Sequence, residues 1–358
     1  MDPNPRSHGH DARAAGPYRV VQWATGGVGA HALRAVLDHP GLALAGVRVH
    51  DPAKAGVDAG MLCGSSVTTG VTATTDVDEI LALGPDCVLY MPRLFDVDDV
   101  CRLLVAGINV VTTHGDLRHP DTVDPAVCAR VEAACWFGGA SILSTGIAPG
   151  FVTETLPVAL SSIQRSIDRM SIEESVDLAE PGTSRLLLET MGFGAAPAPF
   201  DEQRLAHAEQ TFGPSLRLVA DAVRLPLDGF DVLGEVALAE HDVPLECTTL
   251  AAGTVAAQRI TVSGRRAGRV LLRLRSTWYC TSALRPAWPV RATGWHVAID
   301  GETPIEMDLR YPADPSGMSA MSPRYAANRA VNAVAYLCAA PPGIRTTLDL
   351  PPLTANLG

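Results

Sequence analysis

Three glycines stand close together near the start of the chain, in the run WATGGVGA: Gly26, Gly27 and Gly29. Glycine lets a backbone turn sharply and approach a bulky anion. A helix that starts at such a turn offers free N–H groups to phosphate oxygens. Thr25 and Val28 complete the turn. The spacing departs from G-x-G-x-x-G and is closer to G-x-x-G-x-x-G, with Trp23 in the first glycine's place. Asp51 follows Gly26 by 25 residues, about where a carboxylate binds an adenine ribose. His50 and Lys54 flank it and carry the charge to neutralise a 2′-phosphate instead. The acid favours NAD and the cations favour NADP, so these residues leave both open.

Such a turn works only between a strand and a helix, and the chain supplies both. YRVVQWA (18–24) is a short apolar run with β-branched residues, a buried strand. Residues 26–41 enter a helix and stop at Pro40 and Gly41, and 42–49 form a second strand. The alternation continues with strands at 86–91, 108–113 and 141–146, and helices at 76–83, 96–107 and 124–139. It predicts an α/β fold: a Rossmann-type doubly wound parallel sheet over 18–148, after a disordered tail over 1–17. Met91 and Pro92, where the strand at 86–91 ends, join the candidate cofactor contacts.

Past Gly146 the pattern changes. Residues 150–225 read as mainly helical apart from a strand at 170–178, and 232–312 as longer strands separated by glycine turns. This predicts a second, α+β domain over 149–318 with an antiparallel sheet. A C-terminal helix and tail over 319–358 is expected to return to the first domain. On the strand at 170–178, alternation puts Glu173 and Asp177 on one face, read as solvated, with Glu174 between them. Trp136, Trp278, Tyr279, Trp288 and Trp295 are read as core packing.

The runs VVQWATGGVG, VVTTHGDLRHP, STGIAPGF, MGFG and RAVNAVAYLCAAPPGIRTTLDLP, in this order, resemble the dihydrodipicolinate-reductase-like oxidoreductases. The likeness is greatest to the branch holding 2,4-diaminopentanoate dehydrogenase and the native amine dehydrogenases, and it spans about residues 18–352. The resemblance implies a Rossmann domain with a central α+β substrate domain, a homodimer, and reduction of an imine or oxidation of an amine with a nicotinamide dinucleotide. It implies that Thr112, Thr113 and His114 line the nicotinamide and that Ile147 and Ala148 lie on a loop over it, with Ala148 where the family has Asn. Where the amine dehydrogenases carry a glutamate in TCEEL, this chain has Gly115 and Asp116. Asp116 is the local carboxylate left to handle an amine, and His114 has the pKa range to relay a proton. Asn332, on the last helix, is a further candidate to hold the cofactor. His119, before Pro120, is expected to be exposed.

Composition narrows the alternatives. The net charge of −11 argues against general nucleic-acid binding. Lys54 is the sole lysine, so there is no P-loop lysine, and the lysine and His-His motif of dihydrodipicolinate reductase itself is missing. No G-x-S-x-G elbow occurs. The eight cysteines form no C-x-x-C pair or zinc-ligand spacing, which suits buried thiols in a reducing cytoplasm and no metal. No signal peptide or apolar run of membrane-spanning length is read. The expectation is therefore an NAD(P)-dependent oxidoreductase acting on a C–N or C=N bond of a small molecule. A carbonyl or C=C reductase that needs no ammonia, and a redox sensor without turnover, are the alternatives.

Overall fold

The computed structural model describes residues 16–180, 183–310 and 317–355. The expected tail over 1–17 lies outside these but for its last two residues. Six strands of the first half, β1 (Tyr18–Trp23), β2 (Leu42–Arg48), β3 (Ala73–Thr74), β4 (Cys87–Tyr90), β5 (Asn109–Thr112) and β6 (Ser141–Ser144), form one sheet. The late strand β16 (Gly343–Arg345) joins it, and the order is β16-β6-β5-β4-β1-β2-β3 with every pair parallel. The order reverses at β1, which has β4 on one side and β2 on the other. That is the switch point beside which such sheets hold ligands, at the strands' C-terminal ends.

Helices cover both faces. α4 (Val97–Val105) and α5 (Pro125–Gly138) bury Val100, Leu103, Leu104, Val131 and Ala134 against one face. α1 (Gly27–Asp38) and the last helix, α9 (Gly317–Cys338), pack together on the other. α2 (Ala59–Leu62) and α3 (Val77–Ala82) complete the half. Asp76, Asp96 and Asp124 accept hydrogen bonds from first-turn N–H groups and so fix where α3, α4 and α5 begin. Val131, Ala134 and Cys135 form the inward stripe of α5, so Trp136 points outward and is 69% exposed, contrary to its expected core position.

The second half is built on β7 (Ile167–Asp177), β8 (Gly229–Ala239), β11 (Val255–Arg266), β12 (Arg269–Tyr279), β13 (Leu284–Arg285), β14 (Gly294–Gly301) and β15 (Ile305–Leu309), in the order β13-β8-β11-β12-β7-β14-β15. A short ribbon, β9 (Val243–Pro244) and β10 (Thr249–Leu250), stands apart. The sheet is mixed: β7 and β12 run parallel and the other pairs antiparallel. No hairpin constrains β7, which enters the middle of the sheet long before its neighbours in the chain. α6 (Leu156–Ser161) and α8 (Glu202–Ala222) cover one face, and α7 (Arg185–Met191) lies over its end near β11.

Candidate cofactor and active site

A cavity of about 490 Å³ opens at the switch point, running from the glycine turn to His114. Gly26 is the N-cap of α1, which has no side-chain cap and no acid in its first turn, unlike α3 and α4. Its first N–H groups are thus left for a ligand. A Cβ built on Gly26 or Gly27 meets nothing within 4 Å, so the space in front of them is open. Gly29 is needed for a different reason, because a Cβ there falls 2.2 Å from the Ala24 oxygen and would push α1 off β1. Ala24 itself turns the chain at φ 73°, a left-handed conformation in a residue with a Cβ. The buried Gln22 amide donates to the Ala24 oxygen at 2.9 Å and steadies that turn.

Thr25, Gly26, Gly27, Val28, His50, Asp51, Lys54, Met91, Pro92, Thr113 and His114 all line this cavity. The Asp51 carboxylate accepts from the Ala53 N–H at 2.9 Å and remains exposed. Lys54 Nζ lies 3.3 Å from Thr25 Oγ1 and 3.4 Å from the Thr25 oxygen, so its ammonium arches back over the glycine turn. Arg93, missed from the sequence, adds a cation to the lining. Its only signal was its place directly after Met91 and Pro92. An open cradle of helix N–H groups with cations around it fits a dinucleotide pyrophosphate.

At the other end, His114 Nε2 is 2.7 Å from the Pro92 oxygen and Nδ1 is 3.6 Å from Asp116 Oδ2. Burial alone would lower the imidazole's pKa, but Asp116 and the Pro92 carbonyl outweigh it and raise the value above 6.5. His114 in turn holds the Asp116 carboxyl below the usual range. Each group thus favours the charged form of the other, with Asp116 about half exposed.

Six candidates lie off the cavity lining, Asp116 among them, which reaches it only through His114. Gly29 packs beneath it, and Thr112 is buried, accepting from the His114 N–H at 3.1 Å. Ile147 and Ala148, ahead of the cis bond to Pro149, pack with Phe151, Ile172 and Trp295 of the second half. Asn332 sits on α9 between the buried Val331 and Ala333. Glu173 and Asp177 do share a face of β7, as alternation requires. Glu173 there lies 3.4 Å from Arg275 and 3.8 Å from Arg291.

Sequence reading also missed a buried polar junction. Arg118 Nη1 donates to Glu154 Oε1 at 2.9 Å, and both side chains are almost fully buried. Ser215 and Thr347 donate to the same carboxylate at 2.6 and 2.8 Å. His119, expected in solvent, is only 4% exposed and lies 2.8 Å from Asp221 on α8. These bonds pin the segment that carries His114 and Asp116 onto the second half, which is why His119 turns inward.

Residues 151–358 match the model of the 2,4-diaminopentanoate dehydrogenase C-terminal domain. An amine dehydrogenase of Streptomyces virginiae is 31% identical over 95% of this chain and 98% of its own. A 2,4-diaminopentanoate dehydrogenase of Acetoanaerobium sticklandii is 22% identical over 73% of this chain and 71% of its own. The solved amine dehydrogenase of Mycobacterium smegmatis superposes with a TM-score of 0.71 at 20% identity, over 95% of this chain and 97% of that one. With a glycine cradle at the switch point of its first sheet and this match across its second half, the chain belongs to the 2,4-diaminopentanoate dehydrogenase family of oxidoreductases.

Proposed function

We propose that the protein interconverts a small primary amine and the corresponding ketone or aldehyde, using NADP or NAD. In the oxidative direction an alkylammonium, water and the oxidised dinucleotide give a carbonyl compound, ammonium, the reduced dinucleotide and a proton. The observation that carries this reading is the cavity that joins the open N–H cradle at Gly26 to His114, beside which Asp116 stands at 3.6 Å. When bound, the nicotinamide supplies the hydride chemistry. The chain's own residues do the rest. Gly26 and Gly27 hold the pyrophosphate, with Lys54 and Arg93 as counter-charges. Asp51 and His50 face the adenine ribose and its 2′ position, and Thr113 and His114 face the nicotinamide end. Ionised Asp116 receives an N–H proton at Oδ2, and His114, anchored by the Pro92 oxygen, keeps it ionised.

The test is oxidation of NADPH and NADH with a panel of ketones and aldehydes, with and without ammonium. Activity that needs ammonium supports the proposal. Activity without it favours a carbonyl or C=C reductase, the reading that Gly115 in the family's glutamate position motivates. Tight binding with no turnover favours a sensor. Asp116→Asn is expected to lower kcat about tenfold or more with cofactor affinity nearly unchanged. Wild-type turnover in that variant makes Asp116 structural.

A homodimer in the cytoplasm completes the proposal. The face of the second sheet away from α6 and α8 bears Arg259, Arg273 and Arg275 beside Glu173, Asp231 and Glu235. Two copies related by a two-fold axis can pair such charges with each other. Arg275→Glu is expected to yield monomer by light scattering, and an unchanged mass places the contact elsewhere.

A further inference from the structure

The inner face of the second sheet holds an acid that the reading above leaves unused. Along β7, Met170, Ile172 and Glu174 alternate onto the face covered by α6 and α8. Glu174 is flanked in register by Ser276 on β12 and Trp295 on β14. Trp295 and Ile172 pack directly on Ile147, Ala148 and Phe151, the segment that leaves β6 at the ligand-binding edge of the first sheet. Glu174 thus belongs to the wall that the second half turns toward that segment.

Its surroundings are apolar but not polar-free. Trp295 is 4% exposed, and its Nε1–H has no hydrogen-bond partner among the described residues. Ser276 is buried, and its hydroxyl influences the carboxyl without making a well-formed hydrogen bond. The Glu174 carboxyl belongs to a half-buried residue. Burial pushes it up to about 7, with Ser276 only partly opposing. The charged groups on the adjoining strands point the other way: Glu173, Arg275 and His296 form their own ionic cluster on the outer face. On the packed helices and loop, Arg204 is engaged by Gln258 and Arg118 by Glu154, while Arg329 donates to Thr155 and lies 5.4 Å over the Phe151 ring. Among the described residues the Glu174 carboxyl has no ion-pair partner, and an unpaired carboxylate on an apolar wall is offset by a cation or by protonation.

We propose that Glu174 is the specificity-determining anchor for the substrate's nitrogen, its carboxylate pairing with an alkylammonium whose hydrocarbon part is covered by Ile172, Trp295 and Phe151. This rests on the amine-directed reading and narrows it to small primary amines with apolar substituents. Asp116, whose charge His114 shares, keeps its part as proton acceptor, and Glu174 adds the counter-charge. In the empty site below neutrality the carboxyl is protonated. Arrival of the ammonium expels that proton to solvent and leaves a carboxylate–ammonium pair, so affinity rises with pH until the carboxyl is ionised throughout.

The experiment is calorimetric titration of the cofactor-loaded protein with isobutylammonium at several pH values. Glu174→Gln and, as a control on the opposite face, Glu173→Gln are compared with the wild type, and amine turnover is assayed alongside. The wild type and Glu173→Gln are expected to bind alike, with affinity falling and a proton released as pH drops below neutrality. Glu174→Gln is expected to bind about tenfold or more weakly, with a flat pH profile. Glu174→Asp, which keeps the charge, is expected to retain the pH dependence, which a merely structural residue would not confer. Equal binding and profiles in the wild type and Glu174→Gln, or no binding by the wild type, overturn the anchor. Amine turnover with an unchanged KM in Glu174→Gln overturns the anchor and spares the proposed function. Glu174-dependent binding with no turnover of any amine does the reverse.

Discussion

Gly26→Asp is expected to make the apoprotein slightly more stable and to weaken dinucleotide binding by about a hundredfold or more. The two effects have opposite signs because they use the same N–H groups. Gly26 caps α1 with φ −77° and ψ −165°, extended backbone that any residue adopts, and a Cβ there meets nothing within 4 Å. An Asp at this position accepts from the first-turn N–H groups and gains a few tenths of a kcal/mol over Gly, with ~0.3–1 kcal/mol more from the helix dipole. The pyrophosphate needs those donors and that space. Losing one or two charge-assisted hydrogen bonds, at roughly 1.5–3 kcal/mol each, already reaches the ~2.8 kcal/mol that a hundredfold requires. Like-charge repulsion adds to it. Thermal unfolding of the apoprotein and nicotinamide fluorescence on titration with NADPH read the two effects separately. Tight binding by the variant would move the pyrophosphate away from Gly26.

The first sheet and its cradle were legible because their signals are local. A buried strand, an uncapped glycine turn and helices opened by Asp76, Asp96 and Asp124 each declare themselves within a dozen residues. Most of the cavity lining follows from those turns. The parallel pairing of β7 with β12 did not show, since it joins segments about a hundred residues apart. His119 was misread for the same reason: its partner Asp221 is 102 positions away, and a His-Pro in a loop looks solvated until α8 is placed against it. Alternation on β7 correctly set Glu173 apart from Glu174. It could not say which face meets the first domain, so it does not single out Glu174 from its ion-paired neighbour. Trp136 shows the converse error, an aromatic assigned inward on its residue type alone, although its helix turns another stripe to the core.

Arg118→Met is expected to lower the unfolding free energy by about 3–5 kcal/mol, the range for removing one partner of a buried ion pair. Glu154, 2% exposed, would then have only the hydroxyls of Ser215 and Thr347 as partners. The loss falls on a junction of four distant parts of the chain: the segment after His114, the turn before α6, α8 and the C-terminal stretch beyond β16. For domains of this size it corresponds to a fall in Tm on the order of 10 °C. The double variant Arg118→Met with Glu154→Gln is expected to be more stable than Arg118→Met alone. A neutral amide has no charge to strand, and a hydroxyl can turn to donate or accept. That sign matters more than the size. If the double variant is the weaker of the two, the carboxylate is satisfied by Ser215 and Thr347 without the arginine, and Arg118 acts by filling space. If the expected order holds, the charge pair is what fixes the segment, and kcat should fall in Arg118→Met even well below its Tm, because His114 and Asp116 lie only four and two residues upstream of it.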